Sequence, residues 1–415
     1  MYRAPRGTTD ILPEEQNYWV YVNQKVAEIC RLYGYQRIDT PVFEDTSLFS
    51  RSAGEFTDIV QKEMYTFDDR GGNSLTLKPE GTPAVCRAYV QHGLSNLPQP
   101  VKMYYISPIF RYDRPQAGRY RQHHQFGCEA IGNDDPALDA EVIGVAWQFY
   151  RSLGLNGLSL SLNSIGCKEC RPGYLAELKN YYSSRVSELC PDCEERLENN
   201  PLRLLDCKQP SCQPIADEAP KSADHLCKPC EEHFTKLKKY LDILAIPFNV
   251  NGRLVRGLDY YTRTVFEVEP EDAGGQSSIG GGGRYDGLIE QLGGKPTPAV
   301  GFGTGIERLI LNLKKQEVSV PDTDSPKVFI AHLGEDARDE AAKLAAGLRG
   351  EGIGVIQAIG SKSLKSQLRQ ANTLGAKHTV IIGEEEIKSG TVILRDMANA
   401  EQQTVSSDQL IKLLK

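Results

Sequence analysis

Four arginines, Arg111, Arg114, Arg119 and Arg121, crowd the stretch FRYDRPQAGRYRQHHQFGCE. Arginine is permanently charged and planar, and its five donors match phosphate or carboxylate oxygens two at a time. The runs on either side, VKMYYISPIFRYD and RQHHQFGCEAIG, read as strands joined by this arginine-rich loop. Alternation then sets His123, Gln125, Gly127 and Glu129 on one face of the returning strand. Gln, Gly and Glu make a poor core face and a good floor for a small polar ligand. A loop of arginines above such a floor is suited to clamping a triphosphate.

The second concentration of chemistry is sulfur. Cys167/Cys170, Cys190/Cys193 and Cys227/Cys230 are CxxC pairs and Cys207/Cys212 is a CxxxxC pair, so eight of the 11 cysteines fall in one segment. The N-terminus, MYRAPRGTTDILPEE, has no apolar export signal, so the chain is expected to be cytoplasmic and its cysteines thiols or metal ligands. Tetrahedral zinc takes two ligands from each of two knuckles, which makes these eight residues candidates for a structural Zn2+ site. Spacing leaves the number of ions open. Cys30, Cys86 and Cys128 lie outside this segment and read as core residues.

Nucleotide signals of other kinds are absent. Gly280 to Gly283 stand in a row, yet no GxxxxGK[ST] occurs and the dinucleotide spacing is unmet. Gly303 and Gly305 in FGTGIER also lack the third glycine. These glycines are read as places of close backbone approach, at a turn or against a ligand.

The elements that must hold these residues follow from periodicity. Trp19, Val22, Val26, Ile29 and Leu32 recur at helical spacing, with Gly34 as the stop. MYTFDD and NSLTLKP read as strands around the turn Arg70-Gly71-Gly72-Asn73, and IPFNVN and RTVFEVEP as later β segments. This predicts an α+β catalytic domain built on an antiparallel sheet, in two segments, 1–166 and 246–320. A Cys-rich helical insertion at 167–245 splits it. A linker at 321–326 leads to an α/β domain at 327–415, where KVFIAHL, DEAAKLAAGLRGEG, GVIQAI, LKSQLRQANTLG and HTVIIG alternate strand and helix. With 415 residues, 25% charged, and a net charge of −7, the chain is no histone-like basic binder, although a local basic face can still meet a polyanion. No stretch reaches the roughly 18 apolar residues of a membrane span.

Taken together, these stretches resemble the class II aminoacyl-tRNA synthetases, and among them the histidyl-tRNA synthetase family. FRYDRPQAGRYRQHHQFGCE resembles the second signature of that class, AVGFGTGIERLIL the third, and YGYQRIDTPVFEDTSLF the first, around Pro41, which builds the dimer interface. KPEGTPAVCRA at 78–88 and RGLDYYTRTVFE at 256–267 are the stretches that name the amino acid. The terminal module resembles the family's anticodon-binding domain.

The resemblance implies ATP-dependent activation of L-histidine and transfer to tRNA(His), with ATP and Mg2+ required and a homodimer as the working form. Arg111 and Arg256 would be catalytic, meeting the carboxylate and α-phosphate from two sides. Arg111, Asp113, Arg121 and Arg308 would bind ATP. Glu80, Gly81, Thr82, Gln125, Glu129, Arg256, Tyr260 and Tyr261 would bind histidine. In that set Glu129 and Tyr261 serve the ring nitrogens, and Glu80, Thr82 and Gln125 receive the ammonium. Gln116 would touch the acceptor end of the tRNA, and the insertion would close over the acceptor arm, its metal away from the chemistry. The alternative is a non-catalytic paralogue that regulates histidine biosynthesis. Such paralogues lack the terminal domain and lose histidine-specific residues, whereas this chain keeps both. His332-Leu333-Gly334 and Lys362 to Ser366 imitate class I signatures, but they lie too close together to flank a nucleotide fold.

Overall fold

The computed structural model describes residues 2–54, 57–114, 118–271, 278–322 and 326–415. The chain forms two compact units, 1–320 and 321–415. The first is built on an eight-stranded sheet, ordered 36–37, 101–110, 122–131, 299–305, 280–284, 262–270, 158–164 and 249–250. Its central pairings are antiparallel, as expected. The two-residue edge strands Gln36–Arg37 and Asn249–Val250 pair in parallel, so the sheet is mixed at its margins only. A smaller sheet joins Phe43–Asp45, Ser74–Leu77 and Tyr65–Asp68.

One face of the large sheet carries helices. Gln16–Leu32 buries Trp19, Val22, Val26 and Ile29, while Leu32 is 57% exposed because it lies past the end of the apolar stripe. Gly34 follows at φ +76°, the left-handed conformation that stops a helix at low cost for glycine. This helix packs with Pro136–Ser152 and Ile306–Lys315 around Phe126, whose ring lies 5.0 Å from Phe149 and 5.4 Å from Phe302 in edge-on contacts. Within 167–245, the helix Lys228–Ile243 lays Phe234, Leu237 and Leu241 into this same core. The helices Arg171–Ser183 and Pro191–Asn199 belong to a second core, with Leu178, Tyr182, Leu197 and Leu204.

The run Gly280–Arg284 is a central strand, buried throughout, with Gly281 opposite Gly303 and Gly283 opposite Gly301. The expectation of a turn at these glycines is therefore corrected. They lie inside the sheet, where a side chain would strike its neighbours.

The second unit has a five-stranded sheet ordered 355–357, 328–332, 378–382, 391–396 and 402–406. The first three strands are parallel and the last two antiparallel. The hairpin Thr391–Ser406 and the closing helix Ser407–Leu414 escaped the sequence reading, since short apolar runs separate poorly by period. No helix among the described residues is long and apolar enough to cross a membrane.

At the end of the glycine strand, Arg284 is fully buried and pairs at 2.7 Å with the fully buried Asp139 in the first turn of Pro136–Ser152. The same guanidinium donates to the carbonyls of Asn133 and Asp135 at 3.1 and 3.2 Å, pinning the helix start to the sheet. Arg284→Ala leaves buried Asp139 with His233, at 3.6 Å, as its one remaining partner among the described residues, and is expected to destabilise the first unit by about 3–5 kcal/mol. Pairing Arg284→Met with Asp139→Leu should recover most of that loss. Urea unfolding of the two variants beside the wild type checks both statements.

Candidate active site

The floor of the site is defined by what the sheet leaves out. Gly301 lies opposite Glu129 in register, and a Cβ on Gly301 would overlap the Glu129 carboxylate. A Cβ on Gly303 would collide with the Gln125 carboxamide, and one on Gly281 with the Arg256 guanidinium. Gly81 and Gly127 make the same room for the Tyr105 ring. These glycines thus open space for the protein's own functional side chains, a use that the expectation of backbone approach to a ligand had not included.

Two carboxylates are buried there, Glu129 at 0% and Glu80 at 3% exposure. Glu129 accepts from the Thr82 hydroxyl at 2.7 Å and from the Tyr285 hydroxyl. Burial outweighs those hydrogen bonds and pushes the Glu129 carboxyl up to about 8. Glu80 accepts from the Tyr260 hydroxyl at 2.7 Å, and burial lifts it to about 7 against the opposing pull of that bond and of Arg111. The other oxygen of Glu80 is buried with no protein partner. An unsatisfied buried carboxylate oxygen suits an ammonium donor. The rings of Tyr260 and Tyr261 pack in a tilted contact at 4.7 Å between centroids, and Tyr105 donates to Gln125 at 3.2 Å.

Beside this set opens a cleft of about 410 Å³ lined by Arg111, Arg119, Arg256 and Arg308 with Gln125, His123 and Glu267. Each arginine is anchored by a protein partner. Arg111 Nε donates to the Pro79 carbonyl at 2.7 Å. Arg256 pairs with Glu267 at 3.2 Å, and its buried Nε has no protein partner. Arg308, in the first turn of Ile306–Lys315, donates to the carbonyls of Ser278 and Gly118. His123 is driven down to about 3 by burial and by Arg111 and Arg308, so it is neutral at physiological pH. Asp113 sits on the cleft wall with Arg119 at 3.5 Å. Arg121 turns aside: its guanidinium stacks 3.8 Å from the centre of the Tyr112 ring and its Nε donates to the Asp113 carbonyl at 3.3 Å. Of the loop arginines in view, Arg119 stands where Arg121 had been expected. Gln116 lies outside the described residues.

The RGLDYY segment is also braced from the Cys-rich side. Arg171 donates to the Tyr261 carbonyl, and Asn200 Nδ2 donates to Asp259 at 2.9 Å.

A profile described as Histidyl-tRNA synthetase matches residues 7–169 and 211–309, and one described as Anticodon binding domain matches residues 327–415. A histidine--tRNA ligase of Dehalococcoides mccartyi is 62% identical over 411 residues, 99% of this chain and 98% of its own length. The chain belongs to the histidyl-tRNA synthetase family. A family member from Desulforamulus reducens, also a histidine--tRNA ligase, is 51% identical with the same coverage. The apo histidyl-tRNA synthetase of S. aureus superposes with a TM-score of 0.84 at 38% identity, covering all of both chains. This family assignment accounts for the catalytic fold and the terminal domain together. Sequence reasoning missed Tyr105, Tyr285 and Glu267 as partners of the site. Their signal lay only in the tertiary structure: Tyr105 and Glu267 stand across from Gly127 and Gly281 on neighbouring strands, and Tyr285, just past the glycine strand, reaches Glu129 with its hydroxyl.

The raised Glu129 gives a signed prediction. The folded protein holds this proton more tightly than the unfolded chain, whose glutamate titrates near 4.5, so its contribution to stability is present at acid pH and lost as pH rises through about 8. Glu129→Gln should therefore stabilise the ligand-free protein, more at pH 9 than at pH 6. The same change should lower kcat/KM for an imidazole-bearing substrate by roughly 10⁴-fold, because the amide cannot ionise to pair with the imidazole N–H. Thermal unfolding at the two pH values and steady-state kinetics read the two effects.

Proposed function

We propose that the chain activates L-histidine with ATP to histidyl-adenylate and transfers the histidyl group to the 3′ end of tRNA(His). The observation that carries this reading is the pairing of two buried carboxylates, one with an unsatisfied oxygen, with a cleft of partly free arginines. A histidine carboxylate is ionised at neutral pH and attacks the α-phosphate without a base. The task left to the protein is in-line placement and cancellation of negative charge. Arg111 and Arg256 approach that centre from different segments, with Arg308 and Asp113 toward the distal phosphates and Arg121 in support behind Tyr112. ATP enters as its Mg2+ complex, for which the cleft carboxylates Asp113 and Glu267 are hard oxygen donors of the right kind. Glu129 and Tyr261 serve the imidazole nitrogens. The ammonium falls to Glu80, with the Thr82 hydroxyl and Gln125 beside it and Gly81 making room for the Tyr105 ring that lines them. Tyr260 orients Glu80.

In this reading the catalytic domain comprises 1–166 and 246–320, split by the insertion 167–245 and joined through 321–326 to an anticodon-binding domain at 327–415. The working form is a cytoplasmic homodimer, and Gln116 meets the tRNA acceptor end. A regulatory, non-catalytic role is disfavoured. A Bacillus halodurans chain described as an ATP phosphoribosyltransferase regulatory subunit/histidyl-tRNA synthetase is only 23% identical and shares the fold alone.

The eight insertion cysteines form two groups, Cys167, Cys170, Cys227, Cys230 and Cys190, Cys193, Cys207, Cys212. Sulfur separations are 3.8, 3.7 and 3.9 Å in the first and 3.8 Å in the second. A tetrahedron with Zn–S bonds of about 2.3 Å has sulfur edges of about 3.8 Å. All of these cysteines are free thiols, far from disulfide separation. The geometry supports one structural Zn2+ per group, in a fold whose ligands come from both ends of the segment.

Histidine-dependent exchange of pyrophosphate into ATP, without tRNA, tests the activity; exchange driven by another amino acid would overturn the reading. Arg256→Ala should lower kcat by roughly 10²–10³ with little change in the KM for histidine. An unaltered kcat would remove Arg256 from the chemistry. Elemental analysis of protein purified without added metal should find about two zinc ions per chain, and below about 0.2 the metal assignment fails.

A further inference from the structure

A fifth arginine lines the catalytic cleft, and it comes from the Cys-rich insertion. Arg203 lies in the short helix Pro201–Leu204, which occupies the span between the ligand pairs Cys190/Cys193 and Cys207/Cys212. Leu204, Cys193, Cys207 and Cys212 are all buried in one core, so the second sulfur group sets the position of this helix. The guanidinium reaches out of the insertion to the cleft wall shared with Arg111, Arg256 and Arg308. It runs along the backbone of Gly257, the residue after Arg256; a Cβ there would fall 2.9 Å from Arg203 Nη1. Two aspartates hold it, Asp206 at 3.1 Å and Asp58 at 3.9 Å, and it remains 20% exposed. A second pocket, between the insertion and the segment 57–62, meets the main cleft at Asp58, Arg203 and Gly257. Arg203 is thus the cation at the junction of two open spaces.

We propose that Arg203 is a phosphate-binding residue of the active site, delivered by the insertion and placed there by the group Cys190, Cys193, Cys207 and Cys212. The proposal rests on the synthetase reading above. Planar guanidinium with donors on both edges takes phosphate oxygens in pairs, and the aspartates that flank it here pre-orient it without burying it. Two ligands carry that chemistry into this cleft: the triphosphate of ATP and the phosphodiester at the tRNA 3′ end.

The test compares Arg203→Ala, Arg203→Lys and Asp206→Asn in two assays, with wild-type histidine-dependent exchange as the check on the underlying reading. If Arg203 grips ATP, Arg203→Ala raises the KM for ATP in exchange by roughly ten- to a hundredfold. If it grips the tRNA, exchange stays normal and kcat/KM for a tRNA(His) transcript falls by a similar factor. In either case Arg203→Lys recovers part of the loss. Asp206→Asn, which breaks the ion pair, keeps the cation and leaves Asp58 to orient it, has a much smaller effect than Arg203→Ala in either assay. Cys207→Ser, in protein shown to stay folded by circular dichroism, should reproduce the Arg203→Ala pattern. Wild-type behaviour of Arg203→Ala in both assays overturns the proposal. So does an Asp206→Asn variant that matches it, since that outcome makes Arg203 a structural ion-pair partner only.

Discussion

A carboxylate at the centre of a sheet is an expensive thing to keep. Glu129 is fully buried, its proton is held up to about 8, and it stays in place because a glycine faces it on the neighbouring strand. Any side chain at Gly301 would occupy its space. The same economy of atoms frees Gln125 above Gly303 and Arg256 above Gly281. On this face two adjacent strands lack side chains at Gly281, Gly283, Gly301 and Gly303, so that Glu129 and Gln125 from the next strand and Arg256 from a loop can lie across them. Core packing on the other face compensates, with Phe126, Phe149 and Phe302 closing against three helices.

Around that constraint the electrostatics are arranged by pre-pairing. The cleft arginines are not left to repel one another: Arg256 meets Glu267, Arg119 meets Asp113, and Arg203 meets Asp206 and Asp58. Arg111 and Arg308 spend one side of the guanidinium on backbone carbonyls. A guanidinium fixed by one edge has lost its rotamer freedom before a ligand arrives, so less entropy is lost on binding. Desolvation and the nearby arginines also keep His123 neutral, which avoids one more positive charge in the cleft.

The insertion is less peripheral than its composition suggests. A metal away from the chemistry was the expectation, yet Arg171, beside Cys170, holds the Tyr261 carbonyl, and Asn200 holds Asp259. Both contacts fall on the segment 256–261. Helices and a packed core supply stiffness that a six-residue loop cannot generate for itself.

How much of this could be read from the chain divides along a physical line. Local order was legible: the strands around the arginine loop, the helix from Trp19 to Ile29, the alternation of the terminal domain, and the face that carries His123, Gln125 and Glu129. These depend on period and residue type within one element, and so did the motifs that pointed to the family. What tertiary structure alone decided depends on groups brought together from distant segments. The grouping of the eight cysteines is one case, because spacing is the same for any pairing of knuckles. The glycine run is another: its role is set by Glu129, Gln125 and Arg256 on other segments. The placement of Arg119 on the cleft wall and of Arg121 against the Tyr112 ring is a third, since both depend on contacts outside the local pattern. Arg203 lines the cleft although it belongs to a helix of the distant Cys-rich segment. Sequence fixes what each side chain can do; burial and register decide which of those capacities meet.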